Sequence, residues 1–133
     1  MRKISLWIGF SLAFALMLAV SAPAWAQARL LDGSSFVGQI MEKGKEQGEQ
    51  DEFLFKGGKF RATGCDANGF TEASYTIAQS DISTSFEAEA HSPKEGTMKW
   101  KGTVKGETIE GTAVWTKKGQ ADITYSFKGT LKK

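Results

Sequence analysis

Few residues in this chain could carry chemistry. Its single cysteine, Cys65, directly precedes the turn-forming run Asp66-Ala67-Asn68-Gly69. A lone cysteine has no internal disulfide partner, so three readings stay open: a buried thiol, an intermolecular bridge or a reactive thiol. The single histidine, His91, shares an alternating face with Glu87 and Glu89, a spacing that could gather ligands for a divalent ion. All three lie on one segment with lysines expected opposite. Metal sites usually recruit ligands from more than one element, so a solvated face is expected and no metal is assigned. No paired carboxylates, phosphate-binding glycine loop or nucleophile elbow is present. Gly57-Gly58 and the Gly64–Gly69 spacing read as turn punctuation. With no nucleophile and base placed together, no enzymatic activity and no cofactor is expected. The remaining candidates are aromatic: Tyr75, Phe86, Trp100, Trp115, Tyr125 and Phe127, which could line a cavity for a hydrophobic small molecule.

What positions these residues follows from the rest of the chain. Of its 133 residues, the first 26 read as a secretory signal peptide. Arg2 and Lys3 precede an apolar run from Ile4 through Val20, and Ala24-Trp25-Ala26 supplies a small-x-small cleavage site. The apolar run is near the lower limit for a bilayer span, and processing would leave no stable membrane span. The expected address is export through a Sec-type signal, periplasmic or secreted. The formal charge of +2 comes from 17 Lys+Arg against 15 Asp+Glu. Arg2 and Lys3 account for that excess, so residues 27–133 are formally neutral. A neutral chain lacks the field that draws in phosphates, and a nucleic-acid partner is excluded on that ground.

Residues 27–34 are expected to form a loose arm before one domain, 35–133. From Ser35 onward the pattern alternates with a period of two, broken by turn residues at short intervals, and no helical stripe appears. Eight strands are predicted, near 35–42, 51–56, 59–65, 71–78, 81–91, 97–105, 108–116 and 121–131, with a polar loop at 43–50. The turns fix the register. Gly57-Gly58 sets Phe55 beside Phe60 and Phe53 beside Ala62. Gly106-Glu107 pairs Val104 with Ile109 and Trp100 with Ala113. The turn at 92–96 places Ala88 opposite Trp100 and Phe86 opposite Gly102. The turn at 118–120 places Trp115 opposite Ile123, Ala113 opposite Tyr125 and Gly111 opposite Phe127. Each pairing keeps apolar residues on one face, and a slip of one residue would destroy that agreement.

The apolar face also collects Phe36, Ile40, Ile77, Ile82, Met98 and Leu131, and it is expected to hold no charged residue. Lysines, glutamates and threonines occupy the other face, with Glu89 opposite Lys99 and Glu87 opposite Lys101. This is the reverse of a membrane barrel, which is apolar outside. Glycines on the apolar face, as in Phe36-Val37-Gly38, Trp100-Lys101-Gly102, Ile109-Glu110-Gly111 and Phe127-Lys128-Gly129, allow strands to bend under a covering aromatic ring. The fold expected is all-β: an eight-stranded antiparallel up-and-down (meander) barrel, with a two-sheet sandwich as competitor. Eight strands admit either a packed or a hollow interior.

These eight alternating segments, and the closing stretch Tyr125-Ser126-Phe127-Lys128-Gly129-Thr130-Leu131, resemble the calycin-like barrels of lipocalin, avidin and fatty-acid-binding type, and small exported bacterial barrels of the same hairpin pattern. The resemblance is architectural and spans residues 35–131. It implies a barrel that takes a ligand inside. Phe36-Val37-Gly38 stands where lipocalins carry Gly-x-Trp, and no inward arginine supplies a carboxylate clamp, so no functional residue carries over. Two functions follow as expectations. One is an exported barrel binding a hydrophobic small molecule or acyl chain among its aromatic residues. The other is an envelope-protein-binding module, inhibitor or assembly factor, acting through loops 43–50, 65–70 and 92–96 around a packed core.

Overall fold

A computed structural model describes residues 30–133. The signal peptide assigned to residues 1–26, and arm residues 27–29, lie outside the described residues. Eight strands follow in order: β1 (Ser35–Glu42), β2 (Glu49–Lys56), β3 (Lys59–Ala62), β4 (Ala73–Gln79), β5 (Thr84–Ser92), β6 (Gly96–Lys105), β7 (Thr108–Thr116) and β8 (Ile123–Leu131). Each pairs antiparallel with its sequence neighbour, and β8 pairs back onto β1, closing a meander barrel. Closure leaves no free sheet edge, which settles the choice between barrel and sandwich.

The four hairpin registers agree with the sequence reading. Phe55 faces Phe60 and Phe53 faces Ala62. Ala88 faces Trp100 and Phe86 faces Gly102. Trp100 faces Ala113 and Val104 faces Ile109; Trp115, Ala113 and Gly111 face Ile123, Tyr125 and Phe127. On the outer face Glu87 lies 3.5 Å from Lys101 and Glu89 3.8 Å from Lys99. These pairs are exposed and contribute little to stability.

The interior is filled with aromatic side chains. Phe53, Phe55, Phe60, Phe86, Trp100 and Phe127 are all at most 3% exposed. Their ring centroids approach to 5.0 Å for Phe53–Phe127 and Phe55–Phe86, and 5.1 Å for Phe60–Trp100. Edge-to-face and tilted arrangements dominate, which suits the ring quadrupoles. Two glycine pairs make room for this core. Gly102 and Gly111 face each other across β6 and β7. A Cβ on Gly102 would lie 2.6 Å from the Phe86 ring, and one on Gly111 would lie 2.8 Å from the Phe127 ring. At the closing seam Gly38 faces Gly129, and a Cβ on Gly38 would sit 1.8 Å from the Lys128 carbonyl oxygen.

Five expectations are corrected. The third strand stops at Ala62, and residues 63–68 form a 3₁₀ turn that carries Cys65. Gly69, at φ 83°, ends that turn in a conformation only glycine adopts cheaply. The fifth strand starts at Thr84, not near 81. Ser80 and Ser83 close a turn of their own through backbone and hydroxyl hydrogen bonds. Ile82, expected inside, rides on that turn at 69% exposed. The last part of the arm is not loose: Leu31 is buried, and Gly33 N–H donates to the Phe55 carbonyl at 2.7 Å. The Asp32 carboxylate accepts the Tyr75 hydroxyl at 2.6 Å and the Gly58 N–H at 3.0 Å, so residues 31–33 close one end of the barrel. Finally, the interior does hold a charged residue type, for Asp51 faces inward and is 5% exposed.

Candidate functional site at the open mouth of the barrel

In a meander, alternate connections fall at the same end. The β2–β3, β4–β5 and β6–β7 turns therefore share one end, which residues 31–33 cover. The β1–β2, β3–β4, β5–β6 and β7–β8 connections share the other, and this end retains space. A cavity of about 130 Å³ lies there, lined by Ile40, Glu49, Gln50, Asp51, Gly64, Cys65, Asn68, Phe70, Met98, Trp115 and Tyr125. Its walls come from Ile40 of β1, the first three residues of β2, the 3₁₀ turn and Phe70 behind it, and the adjoining ends of β6, β7 and β8. Inward alternation places Met98 and Trp115 opposite each other. Trp115 and Tyr125 are half-buried, at the boundary between the sealed core and solvent.

The connections around the mouth are tied together. Ser92 Oγ donates to the Asn68 carbonyl at 2.8 Å. Trp115 Nε1–H donates to the Glu95 carbonyl, and Lys117 Nζ lies 3.1 Å from Glu95 Oε2. Arg61 and Asp66 form a short ion pair that braces the 3₁₀ turn. These bonds fix the ring of Trp115, which therefore forms a wall with one set orientation.

Asp51 anchors the 3₁₀ turn from inside. Its Oδ1 accepts the Gly64 N–H at 2.8 Å, the Glu52 N–H at 2.7 Å and the Thr63 hydroxyl at 3.3 Å. Its Oδ2 is buried and, among the described residues, has no hydrogen-bond partner. Cys65 sits beside it, and burial, reinforced by the charges of Asp51 and Asp66, pushes the thiol up to about 12. The sulfur is thus held as a protonated, small apolar group at neutral pH. Burial, and behind it the Glu42 carboxylate, also raises Tyr125 above the ordinary phenol range.

The six aromatic residues singled out in the sequence do not share one cavity. Phe86, Trp100 and Phe127 belong to the packed interior, with Trp100 and Phe127 centroids 5.3 Å apart. Tyr75 stands toward the covered end, 5.1 Å from Phe55, with its hydroxyl on Asp32. Burial and the Asp32 carboxylate raise its phenol well above the usual range. Trp115 and Tyr125 reach the mouth, together with Cys65, which the sequence placed at a rim loop. Sequence reasoning missed Asp51, Met98 and Phe70 as site residues. The signal for Asp51 was available: Asp51, Phe53 and Phe55 alternate on one face. Phe70 lies in a connection and leaves no periodic trace.

Two other features are less suited to a guest. Glu89 Oε2 lies 3.2 Å from His91 Nε2 on the exposed face, and among the described residues no group of three ligating side chains could hold a metal ion. A wider depression than the mouth lies over β4–β8, where Met41, Ile77, Ala78, Phe86 and Phe127 are bordered by hydroxyls and by Glu87, Lys101, Glu110 and Lys128. It is more open to water than the mouth, so it encloses a guest less completely. Comparison with known proteins finds no matching family model, no matching curated protein and no matching solved structure. The architecture itself, an eight-stranded antiparallel closed barrel, is compatible with the calycin-like type.

Proposed function

We propose that this protein is an exported, calycin-like binding protein, not an enzyme, that takes a hydrophobic small molecule, or the end of an acyl chain, at the open mouth of its barrel. One observation carries the reading: a cavity with one apolar and aromatic wall of Ile40, Phe70, Met98, Trp115 and Tyr125 stands above a filled core, with Trp115 held in place. Size limits the guest. A drug-sized ligand needs roughly 300 Å³ or more, whereas an engineered cavity of about 150 Å³ admits benzene. A mouth of about 130 Å³ thus takes a single ring or a short alkyl stem. A long chain would enter only by its end, because the aromatic core blocks the axis.

The test is a titration with straight-chain alcohols of increasing length, read by the fluorescence of Trp115 in a Trp100→Phe background. Affinity should rise over the first few carbons and then level off. Absence of any response, with no perturbed Met98 or Ile40 methyl resonance, would end this reading. A second reading has its own support, because the loops at 43–50, 65–70 and 92–96 all meet at this same end of the barrel. Their convergence suits an envelope-protein-binding module whose partner inserts one side chain into the mouth. Capture of a partner that Trp115→Ala abolishes, without any alcohol binding, would favour it.

A further inference from the structure

The mouth contains one group that an apolar guest would leave unsatisfied. Asp51 is 5% exposed, and its Oδ2 is buried without a partner among the described residues. Leaving such an oxygen unsatisfied costs more than a typical hydrogen bond returns. The other oxygen, Oδ1, already accepts three donors, so the carboxylate cannot turn without breaking the anchor of the 3₁₀ turn. Gly64 borders it: a Cβ there would stand 2.8 Å from Oδ2, so only a glycine leaves the oxygen its space. Both residues line the cavity.

The surrounding charges have the same sign. Glu49 lines the cavity as well, and Glu42 is close enough to raise the Tyr125 phenol. The cations nearby are engaged elsewhere: Lys45 pairs with Glu42 at 2.8 Å, Arg61 with Asp66 and Lys117 with Glu95. Among the described residues no lysine, arginine or histidine pairs with Asp51.

We infer that the mouth is selective for guests with an ammonium head on a short apolar stem, the head donating to Asp51 Oδ2 and the stem lying against Met98, Trp115 and Tyr125. This rests on the small-molecule reading of the mouth and specifies its ligand class: a primary alkyl or aryl amine in its protonated form. A carboxylate of equal length would meet Asp51 and Glu49 and be repelled. Burial strengthens both effects, since the charge on Asp51 is poorly screened by water.

The test compares hexylammonium, hexanol and hexanoate on the same protein at neutral pH, by calorimetry and Trp115 fluorescence. Hexylammonium should bind at least about 10-fold tighter than hexanol, and hexanoate weakest. Asp51→Asn keeps an acceptor for the Gly64 N–H and removes the charge. It should lower hexylammonium affinity by about 10-fold or more and leave hexanol within about 3-fold. If Asp51→Asn does not fold, the order of the three ligands on the unaltered protein decides alone. Hexanol binding as tightly as hexylammonium, or a preference for hexylammonium that survives Asp51→Asn, overturns the assignment and leaves the binding mouth standing. Failure of all three compounds to bind overturns both.

Discussion

Cys65 shows how one residue's chemistry is decided by its surroundings. A free thiol at its ordinary value near 9.0 is a useful nucleophile at pH 8; one pushed up to about 12 carries about 1,000-fold less thiolate. Native protein should therefore react with a disulfide reagent at pH 8 roughly 1,000-fold more slowly than the same protein in urea. Equal rates in both would restore the reading of Cys65 as a reactive thiol. The same displacement makes stability depend on pH. Above pH 9 the unfolded chain begins to release this proton while the folded chain holds it up to about 12, so the folded state is favoured below that window and loses ground through it. The slope approaches about 1.4 kcal/mol per pH unit, and Cys65→Ala should flatten the part that begins near pH 9. Tyr75 moves in the same direction at higher pH, since burial and Asp32 raise it too. Tyr75→Phe removes the hydroxyl from Asp32 but leaves the Gly58 N–H on that carboxylate. A loss of about 1–2 kcal/mol in urea unfolding is expected.

At the scale of strands, the barrel depends on where it omits side chains. Gly111→Ala would place a Cβ 2.2 Å from the Lys101 carbonyl oxygen and 2.8 Å from the Phe127 ring. Neither β6 nor the ring can retreat in a filled core, so about 3 kcal/mol or more should be lost. Its neighbour Thr112 points outward and is exposed, and Thr112→Ala should cost under about 0.5 kcal/mol. Lys101→Ala, which breaks the exposed pair with Glu87, should fall below about 1 kcal/mol. Chemical denaturation of the three variants ranks these effects. Equal losses for Gly111→Ala and Lys101→Ala would mean that the aromatic-over-glycine contact does not control the bend.

Across the whole molecule, filled and empty space are arranged along one axis: residues 31–33 over one end, six aromatic side chains in the middle, and the mouth at the other end. Phe53 lies two residues from Asp51 on the same inward face and packs 5.0 Å from Phe127. Phe53→Ala should destabilise the barrel by about 3–5 kcal/mol. It should also deepen the mouth, so that the rise in affinity with alcohol length continues past the point where the unaltered protein levels off. Destabilisation without any change in that limit would mean that the core and the mouth are separate spaces.

The barrel was legible in the sequence because its information is local. Period-two alternation names the inward residues, and two-residue turns such as Gly57-Gly58 lock neighbouring strands in register, so Phe55–Phe60 and Trp100–Ala113 follow without any long-range knowledge. The inward glycines under aromatic rings were readable for the same reason. Local pattern failed where turn chemistry competed with alternation, as at Cys65 and Ile82. What the alternation could not convey is volume. Whether eight inward faces leave a tunnel depends on rings from strands far apart in the chain meeting on one axis, as Phe53 does with Trp100 and Phe127. The sequence by itself determined the hairpin registers and, through them, which residues of the regular strands face inward. Only the tertiary structure decided that they fill it, that Leu31 and Asp32 close one end, and that the remaining space gathers beside Asp51, because packing is settled by the sum of contacts across the whole closed sheet.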